Sequence, residues 1–136
     1  MMGENKMRLN VLGSLLPLSL IMIAMPAAAH HSFDAEYDAA KIASFTGIVT
    51  QIEWQNPHAF IFMNCKDENG AVRNLRFELG PPYALVRGGW KKDTVKIGDT
   101  VTVEGGALGK DPKLNWVGAV PSTQMVLGSG QKLTMR

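Results

Sequence analysis

The residues of this chain best suited to chemistry lie in one hexapeptide, Glu53-Trp54-Gln55-Asn56-Pro57-His58. It brings a carboxylate, an indole, two amides and an imidazole within six positions. Strand-like alternation flanks it, Gly47 to Ile52 before and Ala59 to Cys65 after, so the hexapeptide reads as the tip of a hairpin. Such a tip, held on a rigid scaffold, is where binding residues gather. Glu53, Trp54, Asn56 and His58 are therefore the candidate ligand-binding residues. Glu53 beside His58 would fix the imidazole in one tautomer, which serves metal binding and proton transfer alike.

The remaining histidines, His30 and His31, follow a leader. Lys6 and Arg8 precede an apolar run from Val11 to Met25, and Pro26-Ala27-Ala28-Ala29 closes it. That order of charged, apolar and small residues is that of a secretory signal peptide, with cleavage expected after Ala29. The run is short for a bilayer span, which needs about 20 residues. A chain trimmed to His30 would offer a terminal amine and an imidazole to Cu(II), and His58 would add a third nitrogen. Trimming one residue earlier would put His31 third, the position that suits square-planar Cu(II) or Ni(II). Copper is thus the candidate cofactor, with His30, His31 and His58 as its ligands, against the simpler reading of two solvated terminal histidines. Met63, another soft donor, falls on an apolar strand face and reads as core.

Other classes of function are poorly served. Loss of Lys6, Arg8 and Glu4 with the leader would take the net charge from +2 to +1. That leaves no electrostatic footprint for nucleic acid or anionic lipid. There is no nucleophile elbow, phosphate loop or His-x-x-x-His pair, and Glu53 with His58 is too little for acid–base catalysis. Cys65 is the chain's single cysteine. It shares a strand face with Ala59, Ile61 and Met63, so it reads as a buried, inert thiol.

The elements that must position the hexapeptide follow from periodicity and turn chemistry. A polar segment, 30–44, is expected to be extended, with Phe33 and Tyr37 as anchors. A first strand spans about Phe45 to Trp54, with Ile48, Ile52 and Trp54 on one face and Val49 on the other. Asn56-Pro57 turns the chain. The second strand runs from Ala59 to Lys66, and Asp67-Glu68-Asn69-Gly70 makes a hairpin to the third, Val72 to Leu79. There Leu75, Phe77 and Leu79 point inward and Asn74, Arg76 and Glu78 outward. Pro81-Pro82 opens a short helix ended by Gly88-Gly89. A fourth strand, Thr100 to Glu104, a glycine-rich loop, a fifth strand, Leu114 to Val120, and a tail hairpin from Gln124 to Thr134 complete the chain.

Three meandering strands, a helix and two further strands is the order of an OB-fold-like β-barrel, with a β-sandwich as the alternative, since the tail hairpin could supply additional strands. The expected organisation is a signal peptide, 1–29, an extended segment, 30–44, and one mainly β domain, 45–136. Phe60, Phe62 and Arg76 fall on the outer face that stacks bases in such barrels. With so little net charge, that face is expected to pack under the N-terminal segment or a partner protein. The product would be a periplasmic or secreted binding protein for a small molecule or a periplasmic protein, without nucleic acid or membrane.

His30-His31-Ser32-Phe33, Phe45-Thr46-Gly47-Ile48-Val49 and the hexapeptide resemble segments of the DUF6152 family of exported bacterial proteins. So do Glu78-Leu79-Gly80, Gly89-Trp90 and the run Ile97 to Gly105. The tract Gly109 to Trp116 departs from that family's pattern. The resemblance implies a small β-barrel behind a signal peptide, and no activity.

Overall fold

The computed structural model describes residues 32–136. The expected leader and its cleavage site, with His30 and His31, lie outside the described residues. None of the described helices is long and apolar enough to cross a membrane.

The described chain is mainly β, with seven strands and two short helices. Helix α1 covers residues 32–36. It leads into β1 (Tyr37–Glu53), followed by β2 (Phe60–Lys66), β3 (Val72–Glu78), helix α2 (Pro82–Arg87), β4 (Thr100–Gly109), β5 (Trp116–Gly118), β6 (Gln124–Val126) and β7 (Lys132–Thr134). Five strands form a closed ring in the order β1-β2-β3-β5-β4, because β1 also pairs with β4. All ring pairings are antiparallel except β3 with β5. The β6–β7 hairpin extends the sheet beyond β4.

The β2–β3 hairpin is set by its turn. The Asp67 carboxylate accepts from the backbone N–H groups of Asn69 and Ala71, and Gly70 takes φ +79°. That fixes Lys66 opposite Val72 and, at the far end of the same unbroken register, Phe60 opposite Glu78. Ile61, Met63 and Cys65 then face inward with Leu75 and Phe77, all buried. The core they begin takes in Val101, Val103, Val117, Met125 and Leu133 from the later strands. Leu85 of α2 and Trp90 beyond it enter the same core, and the Trp90 indole N–H donates to the Thr134 carbonyl at 2.8 Å.

Three expectations are corrected here. Strand β1 starts at Tyr37, eight residues before the expected Phe45. Its first half pairs with the second half of β4 through two register shifts, at Asp38/Ile42 and Ala43/Phe45. Such irregularity erases the alternation by which a strand is read from sequence. Next, Ile48 is exposed and Val49 is buried, the reverse of facing Ile48 with Ile52. A register shift between Val49 and Gln51 adds one residue, so the inward phase passes from Val49 to Ile52. Finally, β4 runs on through the expected glycine loop to Gly109. Gly106 is needed there for close approach, since a Cβ would lie 2.5 Å from Cγ1 of Val117.

Candidate functional site

The hexapeptide sits at the end of the β1–β2 hairpin. Gln55, Asn56 and Pro57 are exposed, with a cis peptide bond between Asn56 and Pro57. Trp54 is half-buried against the core, as a residue closing the end of the ring would be. The Asn56 side chain takes part in none of the hydrogen bonds among the described residues.

His58 is not served by Glu53. The Glu53 carboxylate accepts from the amides of Gln51 and Gln55, at 2.7 and 3.3 Å, and stays on β1's edge of the turn. The partner of His58 is Glu78, whose Oε1 lies 2.6 Å from Nδ1. The hairpin register explains this: His58 lies two residues before Phe60, the residue opposite Glu78, and on the same outer face. A carboxylate can only accept, so Nδ1 is assigned the proton and Nε2 is left with its lone pair.

Glu78 is held from its other side as well. Tyr37 donates its hydroxyl to Oε2 at 2.7 Å, and Arg76 Nη2 donates to the Tyr37 oxygen at 3.0 Å. The order is thus Arg76 to Tyr37 to Glu78, with His58 arriving from the opposite end. Burial first, and then the bond to Glu78, raise the Tyr37 phenol far above its ordinary range, against the opposing pull of Arg76. It therefore stays a donor at any physiological pH. Tyr37 itself rests on a bare patch of sheet. A Cβ on Gly118 would lie 2.8 Å from Tyr37 Cγ and 2.7 Å from Phe33 Cε2, so only glycine admits both rings.

Phe33 anchors α1 at this patch. Its ring centroid is 4.7 Å from that of Tyr37, and the Arg136 guanidinium lies 4.5 Å from the Phe33 centroid. Of the face formed by Phe60, Phe62 and Arg76, the N-terminal segment meets Arg76, through Tyr37 and Glu36. Arg76 is stacked 3.7 Å from the Trp116 centroid and 5.0 Å from that of Phe60, while Glu36 and Glu78 each approach it to 3.9 Å.

Sequence reading missed Glu78 as the partner of His58, and Tyr37 and Arg76 behind it. The signal for Glu78 was available, because the Asp67–Gly70 turn fixes the register that carries it to His58. Nothing local announced Tyr37, which reaches the site only through the irregular pairing of β1. Cys65 is buried as expected, and burial holds its thiol up at about 11. Among the described residues there is no group of three or more His, Cys, Asp or Glu that could hold a metal ion.

A family profile described as "Family of unknown function (DUF6152)" matches residues 18–113, which takes in the hexapeptide, Tyr37, Arg76 and Glu78. The chain belongs to this family. No curated protein and no solved structure matches it. Within the DUF6152 chain, the arrangement offers a hydrogen-bonded imidazole with one bare nitrogen at the mouth of an exposed turn. It can accept a proton or a hydrogen bond there, or give a lone pair to a cation.

Proposed function

We propose that this DUF6152 protein is an exported binding module whose recognition surface is the Trp54–His58 turn, carried on an OB-like barrel. The ring order, its single parallel pair and the helix between β3 and β4 support the barrel reading, since that connectivity is the OB one. The observation that carries the binding reading is the clamp on His58. Glu78 takes its Nδ1, Tyr37 takes the other Glu78 oxygen, and Nε2 is left accessible beside the exposed tip. A ring held this way is orientated before any ligand arrives, which lowers the entropy lost on binding. The ligand is a small molecule or a periplasmic protein, and no catalytic step is assigned.

The test is native mass spectrometry of the protein secreted by a bacterial host, followed by thermal-shift screening of soluble metabolites. The expected mass is that of a chain starting at His30. Hits should be lost in His58→Ala and weakened in Trp54→Ala. Hits that survive both changes would move the recognition surface elsewhere.

A second reading, copper binding, is favoured by the same clamp. A carboxylate on one ring nitrogen orients an imidazole and strengthens the other nitrogen as a metal ligand. Phe33 also fixes the chain just after His30 and His31 within two contacts of Glu78. Those two histidines, with His58, would form the ligand set. Cu(II) titration of the trimmed protein, followed by electron paramagnetic resonance, should then show nitrogen ligation. It should be lost in a His30→Ala, His31→Ala double variant and altered in His58→Ala. An unchanged spectrum in both variants would exclude this site.

A further inference from the structure

On the other flank of Arg76, away from His58, the outer face of β2 and β3 carries a hollow, and a second lies between the residues leading into β1 and the β4–β5 loop; Leu114 and Trp116 line both. One, of about 250 Å³, is lined by Phe62, Asn74, Arg76, Lys113 and Asn115 together with that pair. The other, of about 350 Å³, is bounded by Ala35 and Glu36 and by Gly109, Lys110 and Asp111. The smaller is below the size usual for a drug-sized molecule and the larger is at the low end of it, and side by side they suit a short linear ligand of ring-sized units. Neither belongs to the Trp54–His58 turn.

The lining states what those units must carry. Asn74 spends both amide hydrogens, on Thr50 Oγ1 and on Asn64 Oδ1, so its own Oδ1 is left to accept from a ligand hydroxyl. Phe62 and the Trp116 surface not covered by Arg76 give apolar faces for the flat side of a ring. The charge of Arg76 is offset by Glu36 and Glu78, each 3.9 Å away. Lys113 makes no ion pair among the described residues, and no carboxylate lines the smaller hollow. In the larger hollow Lys110 stands with Glu36 and Asp111, and its Nζ donates to the Asp34 carbonyl. One hollow therefore has one uncompensated cation and the other has none. A run of phosphates would set negative charge beside those two carboxylates, whereas a chain alternating charged and neutral rings can seat a neutral ring there.

We infer that this groove binds an acidic oligosaccharide, with a uronic acid unit against Lys113, Asn74 and Phe62 and a neutral sugar beyond Trp116. The proposal goes beyond the turn-centred function and does not require it. The three tryptophans separate the two, because Trp54 marks the turn, Trp116 marks the groove and Trp90 is buried in the core.

The experiment is a nitrogen-15 titration of the secreted protein that follows the three indole N–H signals. The probe is a hyaluronan tetrasaccharide, in which uronic acid and N-acetylated neutral sugars alternate. The Trp116 signal should move with saturation, those of Trp54 and Trp90 should not, and 0.5 M salt should weaken binding. Lys113→Glu should raise the dissociation constant at least tenfold, and Lys92→Gln, on an exposed loop outside the groove, should leave it unchanged. Trp116→Ala should abolish binding. Because it also removes the stack on Arg76, the exposed Lys113 variant is the decisive one. No movement of Trp116, movement of Trp54 alone, equal binding of an uncharged chitotetraose, or tighter binding of a thymidine decamer would each overturn the proposal. Any of these leaves the His58 surface to stand or fall by its own variants.

Discussion

His58 and Glu78 show how one hydrogen bond decides what a side chain can offer. With Nδ1 given to Glu78, long-range proton–nitrogen correlation of the neutral ring should report the Nδ1–H tautomer, and an Nε2–H signal would contradict the assignment. Tyr37→Phe removes a donor from a part-buried carboxylate and should lower stability by about 1.5–3 kcal/mol. Glu53→Gln, whose partners are exposed glutamines, should change it by less than about 0.5 kcal/mol. Urea unfolding of both variants distinguishes them, and equal losses would mean the clamp is not what the geometry says. Cys65 gives the pH dependence. Burial favours its neutral thiol and lifts the folded value to about 11 from an ordinary 9.0, so the unfolded chain ionises first. The stability this contributes is intact below pH 9 and declines as pH climbs from 9 towards 11. Cys65→Ala should remove that part of the alkaline decline, and the native thiol should resist DTNB at pH 8 until urea is added.

At the scale of elements, two glycines decide whether neighbouring pieces can meet. A Cβ on Gly118 would fall within 2.7–2.8 Å of Phe33, in α1, and Tyr37, at the very start of β1. Gly118→Ala should therefore lift α1 and the start of β1 while the ring persists. Hydrogen exchange should show protection lost near Tyr37 and retained in β2 and β3. A Cβ on Gly47 would lie 2.4 Å from the Asn64 carbonyl oxygen and 2.6 Å from Cys65 Sγ, inside the β1–β2 pairing itself. Gly47→Ala should accordingly destabilise the whole domain, by more than the roughly 1 kcal/mol expected for Gly70→Ala, where only the positive φ is at stake. A calorimetric ranking with Gly70→Ala the more harmful would be inconsistent with this packing.

At the scale of the molecule, one buried cluster draws on β1 to β7 and α2, so the described domain should unfold in a single step. Tryptophan fluorescence and far-ultraviolet circular dichroism should give coincident urea transitions. Phe77→Ala, at the centre of that cluster, should cost about 3–5 kcal/mol, a large share of the 5–15 kcal/mol usual for a domain. The amino-acid sequence alone determined the mainly β class, the β2–β3 hairpin, the helix between Pro82 and Gly88, and the burial of Cys65. Each of these rests on local periodicity or turn chemistry that a dozen residues carry complete. The membership of Tyr37–Ser44 in β1, the outward turn of Ile48 and the delivery of Tyr37 to Glu78 were decided only in the tertiary structure. Register shifts have no local sequence signature, and those of β1 carry Tyr37 to Glu78 and Arg76 of β3, 41 and 39 positions away along the chain. A charged residue pointing off a strand reads as solvated until another segment is laid across it, and here that segment is anchored by Phe33 over Gly118.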